Sequence, residues 1–176
     1  MTMWVFGYGS LVWNPGFEVQ ERVIASLSGY HRSFCMRSIH HRGTDENPGL
    51  VLALDEAKDI VCRGVGLSVA TEKQDEVLAY LRERELISSA YLEKFLDIEL
   101  SDGRRVEAVT YVVDPYHVQY CGGLALEEQA RIIAQAVGGR GPNTEYLFNT
   151  TAHLNELGIM DEDLEWLVDR VRNLNG

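Results

Sequence analysis

Three groups of residues in this sequence have types and spacing suited to chemistry. The first is a turn. In "WVFGYGSLVW", residues 4–13, an apolar run stops at Gly7-Tyr8-Gly9-Ser10 and a second apolar run follows at once. A dinucleotide fingerprint would need glycine at position 12, where Val12 stands, and a P-loop would need a following Gly-Lys-Ser/Thr. A nucleophile elbow would need glycines at positions 8 and 12, which are Tyr8 and Val12. The pattern does permit a corner whose backbone N–H groups point at an anion or a developing oxyanion. On spacing alone, a plain tight turn is an equal alternative.

The second is a glutamate. In "TEKQDEVLAYLRERELI", Val77, Leu78 and Leu81 recur at helical spacing. At ~100° per residue these three span about 0 to 100°, and Glu85 falls at about 80°. Glu83 falls near 240°, on the opposite face with Glu76, by the same geometry. Glu85 is therefore the carboxylate expected to face the core. Desolvation there raises a carboxyl pKa and makes it a better proton acceptor. The alternative is a buried ion pair, with Arg84 as a nearby partner, or a frayed last turn.

The third is "HRSFCMRSIHHRG", residues 31–43, which holds His31, Arg32, Arg37, His40, His41 and Arg42 and no acid. Such a local excess suits a small carboxylate-bearing ligand, or it pairs with acidic helices. Adjacent His40 and His41 on a strand would point to opposite faces, so a metal site there is weakly supported. Cys35 and Cys121 lack a marked base and are expected to be buried structural thiols. Tyr91, Tyr111 and Tyr146 either line a pocket or fill the core.

These residues need elements to hold them. Residues 3–6 read as a strand. Residues 23–39 read as two strands broken at Ser28-Gly29, and "GLVLAL" (49–54) and "RGVGLSV" (63–69) as two more around a polar "DEAKD" turn. Thr71 with Gln74 three residues on is a capping-box signature opening the helix of Glu85. "FLDIEL" alternates as a half-buried strand, Asp102-Gly103 marks a hairpin, and "VEAVTYVV" (106–113) returns as its partner. Three helices follow: "LEEQARIIAQAV" stopped by Gly138-Gly139, "NTEYLFNTTAHLNELG" ended by Gly158, and "DEDLEWLVDRVRNL" from Asp161. The last carries Leu164, Leu167, Val168, Val171 and Leu174 on one face. The pattern predicts one α+β domain, residues 1–176, with a closed or strongly curved sheet and helices around it.

Bulk properties set limits. The chain has 176 residues, 45% hydrophobic and 24% charged, with a formal net charge of −11. That balance argues against disorder, and its sign argues against a nucleic acid or an anionic membrane as partner. Cys35, Cys62 and Cys121 fit neither a disulfide framework nor a zinc site, which suggests reduced thiols in a cytoplasmic setting. The N-terminal residues lack a signal-peptide pattern, and no stretch reaches the ~18 apolar residues of a membrane helix.

The turn, the glutamate and the basic stretch stand in the order and spacing of a known family. The chain resembles the ChaC-type γ-glutamylcyclotransferases, which cleave glutathione. The resemblance is carried by "WVFGYGSLVWNPGF", "GYHRSFCMRSIHHRGTDENPG", "CRGVGLSV", "YLRERE" and "GPNTEYLFNT", and it covers nearly the whole length. The family's opening pattern W-V-F-G-Y-G-S-L-x-W is present without a mismatch. The resemblance implies a small mixed β-barrel flanked by helices and a glutathione-specific lyase that releases 5-oxoproline and Cys-Gly. It places the substrate-binding loop on Val5, Phe6, Gly7, Tyr8, Gly9 and Ser10, and the catalytic glutamate, closing Y-L-x-x-R-E, on Glu85. Leu11, Arg37, Tyr91 and Tyr111 are further candidate substrate contacts. Relatives carry Gly-Gly-Tyr soon after the glutamate, whereas "LISSAY" leads to Tyr91 here.

The implied reaction needs no metal and no cofactor, because the nucleophile is the substrate's own α-amine and the only partner required is the small-molecule substrate. Two other functions fit the same residues. One is cyclisation of other γ-glutamyl amines; the other is a catalytically silent ligand-binding regulator of cation transport. An inward carboxylate is something a binding module does not need.

Overall fold

The computed structural model describes residues 2–85 and 90–175, with Glu85 described by its backbone alone. Five strands form a closed barrel in the order β1-β3-β2-β4-β5. They are β1 (Met3–Gly7), β2 (Arg22–Ser38), β3 (Gly49–Val69), β4 (Tyr91–Leu100) and β5 (Arg105–Val113). The short α1 (Ser10–Trp13) follows β1, and α2 (Gln74–Glu85) follows β3. The C-terminal part holds α3 (Leu126–Gln135), α4 (Asn143–Glu156) and α5 (Glu162–Asn175). Between α3 and α4, β6 (Val137–Gly138) pairs with β7 (Gly141–Pro142). The α+β barrel expected from the sequence is the observed architecture.

Backbone proximity divides the chain into two units. One comprises residues 1–33 and 53–118, the other residues 34–52 and 119–176, so β2 and β3 each run from one into the other.

In the first unit β1 is fully buried, antiparallel to β3 from Met3↔Val69 to Gly7↔Val65, and parallel to β5 at Trp4↔Ala108 and Val5↔Val109. A strand with neighbours on both edges and apolar contacts on both faces should read as an unbroken apolar run, and "MWVFG" does. The β4–β5 hairpin turns at Asp102-Gly103 and keeps register from Tyr91↔Val113 to Glu99↔Arg105. In β4, Ile98 and Leu100 are buried while Asp97 and Glu99 are exposed, as alternation requires.

Two expectations about strands are corrected. Residues 23–39 are not two strands but the continuous β2, in which Gly29, at φ +87°, bends the chain without ending it. Likewise "DEAKD" is not a turn between two strands; it lies inside the 21-residue β3. Residues 58–61 are exposed in β3, and Asp59, at φ +66°, bends the strand there without ending it. The capping reading also shifts. A 3₁₀ turn, Thr71–Lys73, leads into α2, and Ala70 takes the position before it, so Thr71 stands inside the turn.

The second unit packs α3, α4 and α5 on one another through Ala130, Ile133, Leu147, Leu154, Leu167 and Val171. Leu174, expected on the apolar face of α5, is 38% exposed at the end of the helix. Asp161 Oδ1 accepts from the Leu164 N–H at 3.1 Å and caps α5. Helix α3 stops before the glycines, at Gln135, because Ala136 turns extended and leads into β6. At the head of α4, the buried Asn143 accepts from the Leu50 N–H and donates to the Leu50 carbonyl, both at 2.8 Å. Its amide thus stands in for a neighbouring strand. Tyr146 completes the clasp, its hydroxyl accepting from the Leu52 N–H at 3.2 Å.

Candidate active site

The loop predicted to bind substrate leaves the end of β1. Val5 and Phe6 are fully buried, Gly7 ends the strand, and Ser10 begins α1. Helix α1 has four residues, closed by Val12 N–H to Gly9 O at 2.9 Å and Asn14 N–H to Ser10 O at 2.7 Å. As the first residues of a helix, Ser10 and Leu11 have no intrahelical acceptor for their N–H groups. A Cβ at Gly7 would lie 3.1 Å from Leu11 Cβ and 3.2 Å from Val65 Cγ2. A side chain at Gly7 would therefore need Leu11 or Val65 to give by a few tenths of an ångström.

A helix of one turn does not hold its own shape. One side chain of the loop and two from elsewhere hold it. The Tyr8 hydroxyl donates to the Tyr111 carbonyl at 2.9 Å. Arg32, buried on β2, donates from Nη1 to the carbonyls of Tyr8 (3.1 Å) and Arg63 (2.8 Å). Arg84, in the last turn of α2, reaches furthest. Its Nη2 donates to Ser10 Oγ at 2.9 Å, and its Nη1 to Asn14 O (2.6 Å), Pro15 O (3.0 Å) and the Tyr80 hydroxyl (3.2 Å). Gly16, at φ +78°, makes room for that hydroxyl, since a Cβ there would meet Tyr80 Oη.

Helix α2 carries the predicted catalytic residue at its last position. Val77 and Leu81 are buried and Glu83 and Glu76 are exposed, as the helical spacing requires. The direction and surroundings predicted for the Glu85 carboxylate lie outside the described residues, as do Leu86, Ile87, Ser88 and Ser89.

Three residues before Glu85 on α2, Arg82 forms a two-point pair with Glu93 of β4, Nε to Oε2 and Nη2 to Oε1, both at 2.9 Å. Glu93 Oε2 also accepts from the Tyr111 hydroxyl at 2.9 Å. The Arg82 hydrogen bonds hold the Glu93 carboxyl below the usual carboxylate range, with help from Tyr111 and against a desolvation that pushes it up. Tyr111 is 2% exposed and directly opposite Glu93 in the ladder. Tyr8, Tyr111, Glu93 and Arg82 are thus linked in one chain of bonds, and Ser10 and Arg84 in another. Tyr91, half-buried, begins β4 opposite Val113, and Leu11 is buried in α1.

Arg37 lies in the second unit, where its N–H donates to the Gln119 carbonyl and its own carbonyl accepts from Gln119 Nε2, both at 2.8 Å. The basic stretch is divided by role. Arg42, reserved in the sequence for an acidic ligand or an acidic helix, does the latter: Nη1 donates to Pro142 O at 3.1 Å and lies 3.6 Å from Glu145 Oε1. Its guanidinium also sits over the Tyr146 ring, 5.7 Å from the centroid. Cys35, Cys62 and Cys121 are buried and no disulfide joins them, and burial pushes the Cys121 thiol up against an opposing Arg37 charge.

Arg84, Arg32 and Glu93 were not singled out for these bonds by sequence reasoning. For Glu93 a signal existed. It was misleading: a two-residue Asp102-Gly103 turn would set Glu93 opposite Val112, whereas the observed turn spans residues 101–103 and sets it opposite Tyr111. Among the described residues no three His, Cys, Asp or Glu side chains cluster as a metal site, and no helix is long and apolar enough to cross a membrane.

The barrel and its loop define a γ-glutamylcyclotransferase-type fold. The solved structure of a yeast γ-glutamyl cyclotransferase specific to glutathione superposes with a TM-score of 0.87 at 26% identity, covering 98% of this chain and 96% of that one. The chain belongs to the ChaC-like protein family, whose pattern matches residues 3–174. It is 38% identical over 172 residues to the Escherichia coli glutathione-specific γ-glutamylcyclotransferase, spanning 98% of this chain and 74% of that protein. It is 37% identical over 180 residues to the Arabidopsis thaliana γ-glutamylcyclotransferase 2-3, spanning 99% of this chain and 90% of that protein.

Proposed function

We propose that this chain is a γ-glutamylcyclotransferase that cleaves glutathione into 5-oxoproline and Cys-Gly. The α-amine of the glutamyl group attacks its own γ-carbonyl, a five-membered lactam closes, and the amine of Cys-Gly departs. Since the nucleophile is inside the substrate, the protein's task is to hold a folded-back conformer and move protons. Orientation of that kind contributes several kcal/mol, out of about 7–11 available to an ideal arrangement.

Glu85 is the proton carrier in this reading. It takes a proton from the α-ammonium and returns one to the leaving amine. The loop Val5, Phe6, Gly7, Tyr8, Gly9 and Ser10 receives the glutamyl arm, with the early amides of α1 facing its carboxylate or the developing oxyanion. One such donor contributes about 2.7–4 kcal/mol in acyl-transfer enzymes. Leu11, Tyr91 and Tyr111 belong to the surroundings of that arm. The geometric support is a single link: Arg84 Nη2 donates to Ser10 Oγ at 2.9 Å, tying the turn that ends in Glu85 to the loop. The relatives supply the substrate. The same reading makes residues 1–176 one functional domain acting in the cytoplasm on a small molecule, with no cofactor and no nucleic-acid partner.

The test is release of 5-oxoproline from glutathione by purified protein. Glu85→Gln is expected to lower kcat by about 10² or more while the fold survives. Glu83→Gln, altering an exposed residue, is the control and should match the parent. Full turnover by folded Glu85→Gln would end the assignment. Comparison of glutathione with γ-glutamyl-alanine decides between a glutathione-specific enzyme and one acting on γ-glutamyl amines generally.

A further inference from the structure

Arg84 makes more of its guanidinium than a surface arginine does. Among the described residues, Ser10, Asn14, Pro15 and Tyr80 supply acceptors to it, and three of these bracket α1: the Ser10 hydroxyl at its start and the Asn14 and Pro15 carbonyls at its end. The fourth, the Tyr80 hydroxyl, lies one turn back on its own helix and is seated against Gly16. The planar fork can serve both ends of a one-turn helix at once, which a lysine ammonium cannot. The clamp therefore fixes α1 to the last turn of α2, and α2 ends at the very next residue, Glu85.

We infer that Arg84 is the positioning residue of this site: it sets the distance between the loop that holds the γ-glutamyl group and the general base. The assignment rests on the function proposed above and gives it a spacing element. Arg84 touches the loop and α2 and takes no part in proton transfer. Losing it leaves the loop amides and Glu85 present but out of register. Misplacement by about 1 Å costs on the order of 10²-fold in such reactions.

The experiment compares Arg84→Ala, Arg84→Lys, Ser10→Ala and the double variant Ser10→Ala/Arg84→Ala, with 5-oxoproline release from glutathione as the assay. Wild-type turnover and its loss in Glu85→Gln test the underlying reading separately. Given both, folded Arg84→Ala is expected to lose about 10- to 100-fold in kcat, with a smaller change in KM, since the mismatch matters most once the ring begins to close. Millimolar guanidinium should restore part of that loss, and Arg84→Lys should not. Ser10→Ala should lose less, and the double variant should fall no further than Arg84→Ala, because both changes break one link.

Folded Arg84→Ala with kcat within about twofold of wild type overturns the inference. So does a loss that merely follows the unfolded fraction and ignores guanidinium. If Arg84→Ala does not fold, Arg84→Lys decides: wild-type kcat in the folded lysine variant overturns it, and a low kcat at a near-wild-type melting temperature supports it. Failure of both variants to fold makes the arginine a purely structural residue and also overturns it.

Discussion

At the scale of single residues, the side chains that matter most to the site's shape bond to partners far away in sequence. Glu93 is the clearest case, shared between Arg82 of α2 and Tyr111 of β5. Its carboxyl is held below its ordinary value, so it binds fewer protons in the folded chain than in the unfolded one. The stability it contributes is present above the unfolded value, about 4.3, and is lost as pH falls through the lower folded value. Glu93→Gln should therefore cost about 1–2 kcal/mol at pH 7, an amount suited to a charged hydrogen-bonded pair that is partly solvated. The difference in melting temperature between the variant and wild type should narrow as pH is lowered below about 4. A gap that stays constant with pH would mean that lost packing, not charge, sets the cost. Sequence alone disclosed Val77, Leu81 and Glu83 on their proper faces of α2, because helical periodicity is local. Arg84 stayed hidden, since two of its acceptors are backbone carbonyls, which carry no sequence signal, and Ser10 is far away in sequence.

Elements divide in the same way. Strands β1, β4 and β5 and the four longer helices were legible from period and turn chemistry, and Asp102-Gly103 marked the hairpin but not its register. The interiors of β2 and β3 were not. Gly29 bends a strand that continues, and so does Asp59 of "DEAKD", while a reading of turn residues counts both as breaks. Pairing with neighbouring strands decides such cases, and that is set by the barrel as a whole. The head of α4 shows the reverse: "GPNTEYLFNT" suggests a helix start, but Asn143 spends its side chain on Leu50 of β3. Asn143→Ala would leave the buried N–H and C=O of Leu50 without that partner, for a loss of about 2–4 kcal/mol. Urea denaturation should show a lower midpoint with an unchanged slope. A midpoint equal to wild type would mean that Leu50 finds another partner, water included.

For the molecule as a whole, the governing number is the net charge of −11. Its ion pairs, such as Arg170 with Glu127 at 2.7 Å and Arg104 with Asp102 at 2.8 Å, are substantially exposed. Exposed pairs contribute about 0–1 kcal/mol each, whereas unbalanced negative charge repels over longer distances. Raising ionic strength from about 10 mM to 150 mM shortens the screening length from about 30 Å to about 8 Å, so the long-range repulsion fades first. The melting temperature should therefore rise over that range; a fall would mean that the local pairs dominate.

The first strand has its own consequence for how the chain acquires its shape. Met3–Gly7 lies between β3 and β5, and its partner Ala108 is far downstream. Until the polypeptide has been made through Val113, this greasy pentapeptide has at least one bare edge, and the loop behind it has no Tyr111 carbonyl to grip. Closure must wait for a long-range encounter, which makes assembly slow and leaves the nascent chain sticky meanwhile. A protein cut short before that strand would keep the whole glycine turn in its sequence and still have nothing to hold it in place.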